Sequence, residues 1–171
     1  MTNSLILDIL SHTREIVITC TFFTIIYLRS IHMVYFTASA IAATLVAKAL
    51  KNTIKQPRPF PSNKNKSKKS YGMPSSHSTA ISFFTSYLTC VVLVTRTIPH
   101  KYLLLIVFHC FSLSVIWSRV RLQHHTRAQV IAGTLLGVFL AIVSFLVWIC
   151  YFSTALPPLV QRIGILNGII N

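Results

Sequence analysis

Acidic side chains are nearly missing from this chain. Of its 171 residues only two are Asp or Glu, Asp8 and Glu15, and no carboxylate side chain follows them. Paired-carboxylate acid–base chemistry is therefore all but excluded, and so is a magnesium or calcium site, because those hard cations take carboxylate oxygens. Cysteine is sparse as well. Cys20, Cys90, Cys110 and Cys150 each lie inside an apolar run, without metal-ligand spacing or a disulfide framework, and are expected to be small buried hydrophobes. No basic helix interleaved with stacking aromatics is present, so nucleic acid is not an expected partner. No internal repeat is visible, and the first apolar run lacks a small-residue cleavage site, so a removable signal peptide is not expected.

Apolar sequence and positive charge are what remains. The hydrophobic fraction is 53% and the mean hydropathy +0.65, ordinary for a membrane protein and high for a soluble one. Sixteen Lys and Arg give a formal net charge of +14, which calls for an anionic partner. Because the cations gather in loops between apolar stretches, lipid phosphate or an anionic membrane surface fits best. Five apolar segments can be drawn: Ile16–Leu28, Ile31–Leu50, Ser78–Val94, Tyr102–Trp117 and Val130–Phe152. The expected fold is an all-α polytopic transmembrane bundle of about five spans, one domain over residues 1–171, with its active site at one membrane face. A short interfacial helix is expected after Pro157-Pro158. Alternating spans place Gln56–Ser76 and Ser118–Gln129 on the same face, although they are far apart in sequence.

Three clusters meet there. The stretch "KNTIKQPRP", residues 51–59, closes the second span; Lys51 and Lys55 are four apart and would share a helical face. Pro57 and Pro59 then present Arg58 on an extended stretch. Alone, this is a charged helix end that complements the dipole. The second cluster, "YGMPSSHST" at residues 71–79, sets Ser75 or Ser76 as the cap of the third span, a first turn whose N–H groups suit an anion, and His77 beside it. Alone, it is a serine cap with a bystander histidine. The third runs from Ser118 to Gln129. Arg119 ends the fourth span, and His125 has Gln129 four residues on as a hydrogen-bond partner, whereas His124 has only Ala128. His125 is thus the favoured working histidine, and Arg121 and Arg127 are expected to be surface charges.

Together the clusters supply three long cations (Lys51, Arg58 and Arg119), a helix N-terminus and two histidines, with no acids and no metal ligands. Phosphoryl transfer needs that set: positive groups for the charge on the equatorial oxygens, a nucleophile and an acid. Histidine can serve in both of the last two roles near neutral pH.

Lys51…Arg58-Pro59, Pro74-Ser75-Ser76-His77 and Ser118-Arg119…His125 resemble, in order and spacing, a known three-part signature. It is that of the type 2 phosphatidic acid phosphatase superfamily, K-x6-R-P, P-S-G-H and S-R-x5-H-x3-D. Ser76 stands for the usual glycine and Gln129 for the usual aspartate; both, with "YGMPSSHS", "IKQPRP" and "HTRAQV", are similar to the dolichyl diphosphate phosphatase branch, for which the chain is short. The resemblance implies a metal-independent, cofactor-free, two-step hydrolysis. Lys51, Arg58, Arg119, Ser75 and Ser76 would cradle the outer phosphate. His125 would attack phosphorus to form a phosphohistidine, and His77 would protonate the leaving oxygen. Gln129 would orient His125, but as a neutral amide it cannot stabilise an imidazolium as a carboxylate does, so the site is expected to lean more on its cations.

The basic loop Ser62–Ser70 would be cytosolic by the positive-inside rule, whereas the resemblance implies the lumen of the endoplasmic reticulum. The expectation adopted is the lumen. Three functions follow in order: hydrolysis of dolichyl diphosphate to recycle the carrier for N-glycosylation, the same chemistry on phosphatidate, a sphingoid phosphate or a shorter polyprenyl diphosphate, and a silent lipid-phosphate binder. The expected partners are the polyprenyl or dolichyl diphosphate substrate and membrane lipids.

Overall fold

The computed structural model describes residues 30–59, 71–95 and 98–153. The first expected span, the basic loop at 62–70 and the segment after Pro157 lie outside the described residues.

Four long helices fill the described residues, in the order α1 (Ile31–Ile54), α2 (Ser76–Val94), α3 (Lys101–Arg121) and α4 (Arg127–Val147), the last running into a π turn, Trp148–Phe152. Each is long and apolar enough to cross a membrane. α1 has 24 residues, so it rises roughly 36 Å against a hydrocarbon core of roughly 30 Å. Every helix reaches further toward the polar motifs than its apolar run. α1 extends past Leu50 to Ile54, α3 past Trp117 to Arg121, and α4 begins at Arg127 instead of Val130. Hydropathy stops at the first polar residue, whereas a helix stops at its cap. For α1 that cap is Lys55, in the left-handed conformation with its N–H on the Lys51 carbonyl. Lys55 is therefore a terminator and does not share a helical face with Lys51.

The burial pattern is inverted relative to a soluble protein. Leu45, Leu113, Leu135 and Phe139 face outward, while Ser75, Ser78, Thr79, Ser82, Ser112 and Ser118 are buried. Small polar residues inside and large apolar ones outside are what a lipid solvent selects, and the chain is an integral membrane protein. Cys110 and Cys150 are exposed on that outer surface, so they are lipid-facing hydrophobes rather than the buried ones expected; an apolar run in a membrane helix covers its outer face as well as its inner one.

α2 is the centre of the bundle, flanked by α1, α3 and α4. Gly133, Gly137 and Ala141 recur every four residues on α4, forming one small-residue face. A Cβ on Gly133 would meet the Ser75 carbonyl oxygen at 2.5 Å, and one on Gly137 would strike the Thr79 carbonyl. The two backbones approach closely because α4 carries no side chain there, the small-xxx-small packing of membrane helices. Further along, Phe36, Phe83, Tyr87, Ala141 and Phe145 form an aromatic core. His32 caps this end, its Nε2 2.9 Å from the Tyr87 hydroxyl and its ring stacked on Trp148. α1 therefore runs from the His32 end to the end that carries Lys51.

Candidate active site

At the Lys51 end two helices finish, α1 and α3, and two begin, α2 and α4. Backbone bonds stitch their connections together. The Gly72 N–H donates to the Gln56 carbonyl at 2.7 Å, and the Ser75 N–H donates to the Gln129 carbonyl at 3.0 Å. The three sequence clusters are thus joined on one face, as the alternation of spans predicts.

Gln129 is completely buried and spends every hydrogen-bonding position of its amide. Oε1 accepts the Thr126 N–H at 3.2 Å and lies 3.2 Å from His125 Nδ1. Nε2 donates to the Pro57 carbonyl at 2.9 Å and to Gln56 Oε1 at 3.2 Å. Two backbone groups thereby decide which end of the amide is oxygen, because an N–H only donates and a carbonyl only accepts. Nδ1 of His125 must then be the donor to Oε1, which leaves the neutral imidazole its lone pair on Nε2. The pairing does not arise as expected from a shared helical turn. Thr126 is the N-cap of α4, its Oγ1 accepting the Gln129 N–H in a capping box, and His125 stands one residue outside the helix.

His125 is buried, 4% exposed. Burial foremost, then the positive charges of Arg58 and Lys51, hold its imidazole down at about 4, against the opposing pull of its bonds to Gln129 and the Gly72 backbone. It is neutral at pH 7. His124 is exposed; partial burial and the charges of Arg119 and Arg58 lower it too. Arg58, Lys51 and Arg119 therefore act on the two histidines from different elements: Lys51 from the last turn of α1, Arg58 from the stretch after it, and Arg119, buried, from the last turn of α3. Arg58 Nε donates to the Tyr71 carbonyl at 3.4 Å, which ties it to the second cluster. Arg121 and Arg127 are exposed.

Ser75, not Ser76, is the cap of α2. It is completely buried, and its hydroxyl oxygen accepts the Ser78 N–H at 3.4 Å and the Ser78 hydroxyl at 3.0 Å. With its own N–H on the Gln129 carbonyl, Ser75 turns its amide into the protein. Ser76 and His77 follow as the first two helical residues, both half-buried.

Three residues of the arrangement were not singled out by sequence reasoning. Thr126 had a signal, the T-x-x-Q capping box. Gly72 had a weaker one, a glycine inside a polar turn: a Cβ there would meet Gln129 Oε1 at 2.5 Å. Gln56 had none, since its partner Gln129 lies 73 residues away.

Residues 32–153 match the PAP2 superfamily. Among curated proteins, Dolichyldiphosphatase 1 of Homo sapiens is 32% identical over 149 residues, covering 82% of this chain and 61% of that protein. Dolichyldiphosphatase 1 of Dictyostelium discoideum is 36% identical over 115 residues, 65% of this chain and 50% of that one. Lipid phosphate phosphatase gamma of Arabidopsis thaliana is 25% identical over 116 residues, 66% of this chain and 51% of that one. The chain thus spans no more than 61% of the length of these relatives. Among solved structures, the PAP2 type phosphatidylglycerolphosphate phosphatase of Bacillus subtilis superposes with a TM-score of 0.64 at 20% identity, covering 82% of this chain and 72% of that one. That likeness is one of fold.

Proposed function

The chain belongs to the PAP2 superfamily, in its dolichyldiphosphatase branch, and from that premise we propose that it hydrolyses dolichyl diphosphate to dolichyl phosphate and inorganic phosphate. Lys51, Arg58 and Arg119 hold the non-bridging oxygens of the outer phosphate, together with the first turn of α2 at Ser76, which Ser75 aims by capping it. His125 attacks the outer phosphorus with the Nε2 lone pair. The bond from that phosphorus to the bridging oxygen breaks, and His77 gives this oxygen a proton as dolichyl phosphate departs. Water then attacks the phosphohistidine and His77 takes a proton from it. The P–N bond breaks, inorganic phosphate leaves, and His125 recovers its lone pair. No metal ion is needed in either step.

The observation that carries this reading is the His125 Nδ1 to Gln129 Oε1 contact of 3.2 Å, in a buried imidazole kept neutral beside Arg58 and Lys51. In the endoplasmic reticulum membrane with the site on the lumenal face, the reaction returns the lipid carrier for N-glycosylation. A second reading, the same chemistry on another lipid phosphate such as phosphatidate, is favoured by the similarity to Lipid phosphate phosphatase gamma. Phosphate release measured with and without EDTA across lipid mono- and diphosphates, with His125→Ala as the blank, tests both. Preference for the long polyprenyl diphosphate supports the first reading and a flat profile the second. Silence across the panel both with and without EDTA leaves a non-catalytic binder, and activity present only without EDTA rejects the metal-free route.

A further inference from the structure

An apolar groove of about 370 Å³ lies between α1 and α4. Leu50 and Ile54 from the end of α1 form one wall, and Ala132, Leu136 and Phe139 from the first half of α4 form the other. Pro74 joins them from the turn that leads into α2. These residues are chain neighbours of the candidate machinery: Leu50 precedes Lys51, Pro74 precedes Ser75, and Ala132 precedes Gly133, whose missing Cβ makes room for the Ser75 carbonyl. From Ala132 to Phe139 the helix rises about 10 Å, running away from the cations toward the middle of the bilayer. Ile54 is 48% and Phe139 63% exposed, so the groove is open to lipid along its side.

We propose that this groove takes the first isoprene units of the polyprenyl diphosphate, the part of the tail nearest the reacting phosphates. The assignment rests on the diphosphatase reading and adds to it the place where the tail leaves the site. A diphosphate anchored among Lys51, Arg58 and Arg119 must send its tail past one helix pair, and the α1–α4 groove begins beside the residues that hold it. Bulk lipid also wets the groove, but only the substrate is tethered there, and the tether raises its local concentration. Ala132, the smallest residue of the wall, then sets the thickness of chain that fits.

The test uses two substrates and one label. Ala132→Phe fills the groove without touching the phosphate-binding residues. Its KM for a long polyprenyl diphosphate is expected to rise about tenfold or more, while turnover of methyl diphosphate, which carries no isoprene unit to enter the groove, stays within about twofold. Loss of both activities alike, or of neither, overturns the proposal. On the unaltered protein, a polyprenyl diphosphate with a diazirine on its first isoprene unit is expected to label residues 50–54 or 132–139. Labelling confined to other helices, or to residues 1–29, overturns it as well. Should the protein hydrolyse no diphosphate yet be labelled in the groove, the reaction fails and the binding site stands, so the two failures are distinguishable.

Discussion

Gln129 Nε2 donates to the Pro57 carbonyl at 2.9 Å, and this one bond ties the start of α4 to the chain leaving α1. The same amide supports His125, so the residue that orients the histidine also holds the site together. Two replacements probe those roles, Gln129→Ala removing both and Gln129→Glu only the bond to Pro57. Gln129→Ala leaves the Pro57 carbonyl and the Thr126 N–H without their partner; both residues are exposed, so each lost bond costs roughly 0.5–1.5 kcal/mol. We expect it to lower thermal stability as well as phosphate release. Gln129→Glu keeps an acceptor for His125 but sets a carboxylate oxygen against the Pro57 carbonyl. It should be destabilised too, although aspartate is usual in the superfamily signature. A Gln129→Glu protein as stable as the parent would show that the Pro57 bond contributes little.

Gly72→Ala tests the same hub from its other side. A methyl group there meets the Gln129 amide, the far end of a side chain that ordinarily could move aside. This one is pinned by bonds to Thr126, His125, Pro57 and Gln56, so moving it breaks them. Gly72→Ala is expected to lose activity to about the same degree as Gln129→Ala, and the double variant should lose little more, because residues in one network are not additive. Additive losses, measured as kcat/KM, would place Gly72 outside the network.

The helix–helix contact yields a graded prediction. Gly137→Ala pushes a methyl group into the Thr79 carbonyl and is expected to cost about 1–3 kcal/mol, as overpacking does. Gly133→Ala meets the carbonyl of Ser75 itself, the cap of the turn that carries His77. It should reduce activity further than Gly137→Ala at equal loss of stability. Unfolding midpoints paired with initial rates would decide it, and equal activity at equal stability would show that the turn tolerates the shift.

How much of this was legible beforehand depended on the distance a signal had to cover. Lys51, Arg58, Arg119 and His125 stood out because their spacing is local, and alternation of apolar runs sufficed to bring their loops to one face. The spans themselves were read short at the motif ends. Lys51 and Arg119 are polar, yet they belong to the last turns of α1 and α3, where they complement the helix dipole. Between Ser75 and Ser76 as the cap of α2, sequence gave no choice; Gln129, 54 positions on, takes the Ser75 N–H and settles it. Gln56 illustrates the limit: nothing near it in sequence marks it as the partner of a side chain from another helix.

The acid limb of the rate profile follows from His125. Its folded value of about 4 lies below the ordinary 6.5, so the folded protein binds this proton less readily than the unfolded chain does. Stability from this group is therefore complete above pH 6.5 and is lost as the pH falls through about 4. The same neutrality keeps Nε2 able to attack, and kcat/KM reports the free enzyme. The His125 contribution to the acid limb of kcat/KM is expected near pH 4 rather than near 6.5. In 15N-labelled protein the imidazole should titrate there with its proton on Nδ1. Arg58→Ala should move that titration upward by only part of the gap, because burial, not charge, is its leading cause. A His125 titration near 6.5 in the parent protein would mean that water reaches the ring, and the neutral nucleophile would lose its physical basis.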